Sequence, residues 1–338
     1  MTSTQTAKAA RITPGGGIDS LVWSTRHVPE PGEHEVRLRV RAVSLNYRDL
    51  VIASGDYPLS HSRPLLPISD GAGTVDAVGS AVTRARVGDR VSANFVRDWV
   101  SGPFGPTQKA SSLGGEVDGM LAEYVVLPEH ALVPIPETLT FAEAAALPCA
   151  AVTSWNALVF HGRIRAGHTL VVQGTGGVSL FALQIARHSG ARVIATTGDD
   201  AKAAKLQELG ADVVINYRKT PDWGSAVRRC TDGYGADHIM EVGGAGTLEQ
   251  SLRAIRLGGE ISVIGFLAGA AANLNLVPVI LNHVRLNGIF VGSREMFEEL
   301  LRIPIRPVVD RTFAFDEAPE AYRYLSSAKH FGKVVMEN

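Results

Sequence analysis

Short runs of alternating or mixed apolar and polar residues fill the first third of the chain. EVRLRVRAVSL, GAGTVDAVG, DRVSANF and AEYVVLP are rich in β-branched residues and are set apart by glycine and proline, which predicts a compact β domain over roughly residues 20 to 135. The texture then changes. Between roughly residues 168 and 292, apolar strands alternate with amphipathic helices, the signature of repeated βαβ units. The predicted strands are HTLVVQG, RVIATT, DVVINY, HIMEV, EISVIG and RLNGIFV. Helical spacing at i, i+3, i+4 and i+7 falls on Val178, Phe181, Ala182 and Ile185, and again on Leu248, Ser251, Leu252 and Ile255. Gly190, Gly210 and Gly258 stand where helix C-caps belong. Six strands with helices between them predict a doubly wound parallel sheet. The last stretch, RPVVDRTFAFDEAPEAYRYLSSAKHFGKVVMEN, returns to strand, helix and strand. The fold class is therefore α/β, with an α/β domain over residues 151–292 inserted into a β domain made of 1–150 and 293–338.

Composition narrows the function. The 338 residues exceed what one core usually serves, and 45% apolar with 20% charged residues is ordinary globular composition. Thirty-three Lys and Arg against 34 Asp and Glu provide no basic stripe for a phosphodiester backbone, so nucleic acid is not an expected partner. MTSTQTAKAARITPGGG lacks the apolar core of a signal peptide and no apolar run nears the roughly 20 residues of a membrane span, which predicts a cytoplasmic protein without membrane contact. Cys149 and Cys230 are the only cysteines, too few for a disulfide framework, and no CxxC pair is present.

The segment LVVQGTGGVSLFALQIA joins an apolar strand, a glycine turn and a helix start. That order points unpaired N–H groups and the positive end of the helix dipole at a pyrophosphate. Gly174 permits the tight turn, and Gly176 or Gly177 lets phosphate approach the backbone. The third glycine of the GxGxxG pattern is Ser179, small enough for close helix packing. NAD enzymes usually end the next strand in a carboxylate for the ribose 2′-hydroxyl. RVIATT ends instead in Thr196 and Thr197. Lys202, Tyr217 and Arg218 follow as donors for a 2′-phosphate, with Asp199 and Asp200 as opposing charge, so the expected cofactor is NADP(H).

NYRDL, GAGTVDAVG, VGDRV, AAALPCAAVTSW, GTGGVSLFALQIA, VINYR and GGEISVIG together resemble the medium-chain dehydrogenase/reductase superfamily, in family order and over nearly the whole chain. The resemblance implies a GroES-like β domain and a Rossmann domain with a six-stranded sheet. Within the superfamily the chain is similar to the zinc-free quinone oxidoreductase and enoyl reductase branch, NYRD being close to the NFRD of polyketide-synthase enoyl reductase domains. Zinc alcohol dehydrogenases hold catalytic metal through a Cys, a His in a GHE segment, and a further Cys or acid. Here Asn46 and Ser69 stand at the first two places and only Cys149 matches the third. One thiolate does not make a site that needs three protein ligands. No metal is therefore expected, and Cys149 reads as a small residue beside the cofactor.

The resemblance also assigns the site. It implies a substrate cleft at SLNYRDL, with Asn46 near the nicotinamide and Arg48 and Asp49 in structural or orienting roles. Tyr57 matches a proton donor of mitochondrial-type enoyl reductases, while other members carry a tyrosine where this chain has Val51; packing of Tyr57 as a turn residue before Pro58 stays open. Cofactor contacts are implied at Thr153, Gly174, Thr175, Gly176, Gly177, Val178, Thr197, Lys202, Tyr217, Val242, Gly243, Gly265, Phe266, Leu267, Phe331 and Lys333, with Gly332 between the last two. The leading function is reduction of an activated double bond or quinone, a small-molecule carbonyl or quinone substrate, by NADPH without metal. Alcohol dehydrogenation is an alternative, and a nucleotide-binding sensor without turnover is a third reading. Segment 97–119 lines the implied cleft without naming a substrate. The apolar edge RLNGIFV predicts a homodimer or a dimer of dimers.

Overall fold

The computed structural model describes residues 5–271 and 273–338. It forms two compact units, Met1–Val152 with Val291–Asn338, and Thr153–Phe290. In chain order the strands of the first stretch are β1 (Thr6–Arg11), β2 (Val22–His27), β3 (Glu35–Ser44), β4 (Asp70–Val78), β5 (Arg90–Ala93), β6 (Tyr124–Pro128) and β7 (Leu132–Pro134). The middle unit contributes β8 (Thr169–Gln173), β9 (Arg192–Thr197), β10 (Val213–Asn216), β11 (Ala236–Glu241), β12 (Ile255–Val263) and β13 (Arg285–Gly288). The return supplies β14 (Val309–Ala314) and β15 (Lys333–Glu337).

The first unit is built on a seven-stranded sheet of order β14-β15-β3-β4-β5-β7, with β6 also paired to β3. Period-two alternation explains β3: Val36, Leu38, Val40 and Ala42 turn inward while polar residues between them face out. Its core continues through Leu65, Ile68, Met120, Leu121 and the fully buried Tyr322 of helix Ala318–Ser326. The short β1–β2 hairpin and the three-residue β7 carry too little pattern to be seen in the sequence.

The second unit is a parallel sheet of order β10-β9-β8-β11-β12-β13. Its central strand TLVVQ is buried at every position, as a strand covered on both faces must be. The strand order reverses between β8 and β11, and a ligand belongs outside the carboxyl ends at such a point. One expectation is corrected here. Gly258 does not cap a helix: helix Leu248–Ala254 ends before it, Ile255 opens β12, and Gly258 adopts φ 68° inside that strand. The register slips between Ala236↔Ile255 and His238↔Glu260, so β12 bulges and its glycine absorbs the left-handed turn.

Candidate functional site

Register brings together residues that are far apart in sequence. β3 lies antiparallel to β4 and to β15, and Ser44 pairs with Asp70 on one side and Val335 on the other. The residues just past β3, Leu45 and Asn46, therefore sit beside the start of β15 and the Ser69–Asp70 step into β4. Gly332 enters β15 at φ 102°, and a Cβ there would lie 2.2 Å from the Val308 carbonyl oxygen, so a side chain at 332 would force the strand apart. Lys333 follows, and its Nζ donates to the Leu45 carbonyl at 2.7 Å and to Asn46 Oδ1 at 2.5 Å. Asp70 lies 3.7 Å from the same ammonium. Asn46 Nδ2 donates to Ser69 Oγ at 3.4 Å, and Ser69 Oγ donates to Asp70 Oδ1 at 2.8 Å. The Cys149 N–H donates to Asp70 Oδ2 at 3.2 Å. Lys333, expected over the nucleotide, thus spends its ammonium inside the first unit, and the neighbouring Phe331 ring is buried there too. The strand-pairing geometry, invisible in a local motif, is the reason.

Asn46 precedes helix Tyr47–Ser54, and its backbone N–H donates to Asp49 at 2.8 Å. Burial pushes the Asp49 carboxyl up to about 6, against the pull of Arg48. The Arg48 guanidinium donates to the Leu113 carbonyl and lies 4.1 Å from the Phe95 ring and 5.6 Å from the Tyr57 ring. The Tyr57 N–H donates to the Val51 carbonyl at 3.2 Å, just beyond Gly55, whose φ of 86° ends the helix. Tyr57 is half-buried and set beside Asn46's helix by its ring contact with Arg48.

A divalent metal does not fit this cluster. Its donors would be a carboxamide oxygen already accepting from an ammonium, a hydroxyl, one carboxylate, and a thiol. Burial and the nearby Asp70 charge push the Cys149 thiol up to about 12, which raises the cost of the thiolate a ligand must be. Lys333 adds a positive charge at the centre. Among the described residues no group of three His, Cys, Asp or Glu side chains gathers to replace these donors.

The second unit holds the glycine turn at the carboxyl end of β8. Gly174 adopts φ 71° and its N–H donates to the Thr196 carbonyl at 2.8 Å. Gly176 caps helix Gly177–His188 with no side-chain capping bond, so the first amides of Gly177, Val178 and their neighbours point into the open. A Cβ at Gly174 or Gly176 would meet nothing within 4 Å, which leaves room for a pyrophosphate against the backbone. Thr175 is buried in the same turn, and Ser179, in the third glycine's place, donates to the Gln173 carbonyl at 2.6 Å. Thr153 is buried in helix Ala150–Trp155, where Ser154 donates to the Val178 carbonyl at 2.9 Å.

At the end of β9, Thr197 is buried and its Oγ1 accepts from the Asp199 N–H at 3.3 Å. Asp199 caps the next helix through Ala201 and Lys202 N–H groups, and Asp200 is paired with Lys219 at 2.6 Å. The two acids are thereby committed. Tyr217 lies over Gly198, where a Cβ would stand 2.6 Å from its hydroxyl, and Arg218 is exposed beside it. After β11 and β12 the loops zip together: the Leu267 N–H donates to the Val242 carbonyl at 3.1 Å and the Ala268 N–H to that of Gly243 at 2.7 Å. Gly265 touches Val242 closely, a Cβ there being 2.6 Å from its oxygen, and Phe266 is partly exposed.

Sequence reading missed the buried acid beneath these loops. Glu241 accepts from Gly243 and Gly244 N–H groups at 2.9 Å, Thr247 at 2.5 Å, Gln173 at 2.8 Å and Ser251 at 2.5 Å. A fully satisfied buried carboxylate of this kind holds the loop rigid. The signal for it was a Glu inside the apolar strand HIMEV. Asp70 was missed as well, being one polar residue in a glycine-rich strand.

The comparisons agree with this geometry. Residues 32–137 match the alcohol dehydrogenase GroES-like domain family and residues 177–304 the zinc-binding dehydrogenase family. A zinc-type alcohol dehydrogenase-like protein of Schizosaccharomyces pombe is 45% identical, with 95% of this chain and 96% of that protein aligned. A solved Sinorhizobium meliloti protein, described as a proposed alcohol dehydrogenase, superposes with a TM-score of 0.93 at 43% identity over 100% of both chains. The quinone oxidoreductase of Rattus norvegicus is 28% identical over 97% of both chains. With both domain families, the reversed strand order and the glycine turn in place, the chain belongs to the medium-chain dehydrogenase/reductase superfamily, oxidoreductases that use a nicotinamide cofactor.

Proposed function

We propose that the protein is an NADPH-dependent reductase of an activated double bond or quinone that works without metal. The observation that carries this reading is the Lys333–Asn46–Ser69–Asp70 cluster, whose donors and charge reject a divalent cation. Alcohol oxidation is helped by a Lewis acid on the oxygen, which eases loss of the O–H proton while the carbinol carbon gives up its hydride. An enone needs less: hydride enters at the β carbon, the π pair moves to the carbonyl oxygen, and a proton then reaches the α carbon. The bound nicotinamide supplies or accepts the hydride. The chain's own part is to receive the pyrophosphate on the glycine turn, to offer the Asn46 carboxamide to the substrate oxygen, and to offer Tyr57 as a phenol for protonation.

NADPH preference is supported by Thr197 in the acid's place, by the commitment of Asp199 and Asp200 to other partners, and by Lys202, Tyr217 and Arg218 around the end of β9. Titration should give tighter binding of NADPH than NADH, and Lys202→Ala should weaken NADPH alone by about 1–2 kcal/mol, the scale of one charge-assisted contact. Equal or tighter NADH binding would remove the preference. Activity is tested on a panel of enones, enoyl thioesters and quinones followed by NADPH absorbance after exhaustive chelation. Retained turnover supports the reading. The similarity to zinc-type proteins favours alcohol dehydrogenation as a second reading, and activity lost to chelator and restored by stoichiometric zinc would establish it. NADPH binding without consumption across the panel would leave a sensor.

A further inference from the structure

We propose that Lys333 acts on the reaction through Asn46, as a positioning residue that locks the carboxamide with its Nδ2 facing the substrate oxygen. The inference rests on the reductase reading above, because only there does negative charge grow on that oxygen.

The orientation follows from hydrogen-bond chemistry. A lysine ammonium only donates, so the carboxamide atom 2.5 Å from Lys333 Nζ has to be the oxygen. The other end of the amide is then the NH₂ group. Ser69 has one hydroxyl hydrogen, given to Asp70 at 2.8 Å, and so accepts from Asn46 Nδ2. Asp70 closes the circuit by its charge, 3.7 Å from the ammonium. Every donor in the ring points the same way round, from Lys333 through Asn46 and Ser69 to Asp70. Reversing one member would set donor against donor or strand a buried group.

The ring is also dry and anchored. Lys333 is 3% exposed and Asp70 fully buried, so their fields are little screened. The second hold on the ammonium is the Leu45 carbonyl at 2.7 Å, and the glycine at 332 with the β15–β3 pairing fixes the backbone beneath it. Asn46 itself is only half-buried, and its one Nδ2 bond, at 3.4 Å, is long. One hydrogen of a polarised, preoriented amide therefore remains for a ligand. A donor fixed before charge develops costs no reorganisation when it does. In the addition step the hydride pair forms the new C–H bond at the β carbon, the carbon–carbon π pair shifts to make an enolate, and the amide hydrogen bonds to its oxygen. Solvent or Tyr57 then returns the proton to the α carbon, and Lys333 never gives up its own.

The test uses the full chain labelled with ¹⁵N-asparagine, with the Asn46 side-chain cross-peaks assigned by their loss in Asn46→Asp. Two neutral variants, Lys333→Met and Lys333→Gln, are made, and their folding is checked by far-ultraviolet circular dichroism and NADPH binding. The expected result is that the Asn46 cross-peaks move in both variants, that NADPH affinity stays at the wild-type value, and that kcat falls about 10²-fold, as for removal of one oxyanion donor. Asn46→Ala should lose as much, and Lys333→Met with Asn46→Ala no more than either alone. Unmoved cross-peaks, losses that multiply in the double variant, or weakened NADPH binding with kcat intact would each overturn the proposal. If neither neutral variant folds, the wild type decides: Asn46 side-chain hydrogens that exchange with water much more slowly than those of an exposed asparagine support a locked amide, and exchange as fast as an exposed asparagine's refutes it. A wild type that reduces nothing in the panel, with cross-peaks that still move in the variants, would sink the reductase reading and leave the lock standing.

Discussion

Tyr57 stands between two roles, proton donor and packed turn residue. Arg48 lies 5.6 Å from the ring while its guanidinium is tied to the Leu113 carbonyl and packed on Phe95, so the phenol is carried on a rigid side-chain stack. A proton donor needs that rigidity. Tyr57→Phe keeps the ring and removes only the hydroxyl, so kcat should fall by roughly 10²–10⁴ with NADPH affinity unchanged, the range for loss of a general acid. A loss of only a few-fold in a kcat measurement would give the protonation to solvent and leave Tyr57 a wall of the pocket. Arg48 packs on Phe95 and Asp49 accepts from the Asn46 N–H.

Elements differ in how openly the sequence declares them. The strands of the second unit and its glycine turn are each a local pattern, a run of apolar residues followed by Gly174 and a helix, and a linear reading finds them. The Asn46–Lys333 contact joins residues 287 positions apart, through a register that no local motif encodes. So the glycine turn was legible and the cation beside Asn46 was not. The opposite ends of the same strands carry a further case. His168, just before β8, meets His238 of β11 with Nδ1 and Nε2 3.1 Å apart, near Asp237, Glu260 and Arg256. Burial first, then the neighbouring His168, holds the His238 imidazole down at about 4, despite the opposing pull of Glu260 and Asp237. A base with a depressed native pKa stabilises the fold above its unfolded value, near 6.5, and that contribution is lost as pH falls towards about 4. The loss is at most ~3.5 kcal/mol, at about 1.4 kcal/mol per pKa unit over the fall from 6.5 to about 4. The melting temperature should therefore drop over this window, and His238→Asn should flatten that part of the profile; an unchanged slope would show that other groups set the acid limit.

For the molecule as a whole, the edge of the second sheet matters most. Among the described residues β13 pairs only with β12, and Leu257, Ile280 and Leu281 nearby are 66%, 67% and 73% exposed. An unpaired edge flanked by exposed aliphatic residues invites a second copy, so a dimer through β13 is expected. Light scattering at micromolar concentration should give at least twice the 36.0 kDa of the chain, and Ile280→Asp with Leu281→Asp should return it to monomer mass. A monomeric wild type would contradict the assignment. Among the described residues no helix is long and apolar enough to cross a membrane. The interrupted first unit has its own consequence for the order in which the protein is made. Thr153–Phe290 is one continuous stretch, so its six-stranded sheet can close while later residues are still being added. The first unit has to wait, because β15 (Lys333–Glu337) enters its sheet between β14 and β3 only after the whole second unit has been made. A chain released just short of Lys333 would carry the whole glycine turn and an Asn46 with no cation to hold it. The glycine turn would be made before the strand that brings Lys333 to Asn46.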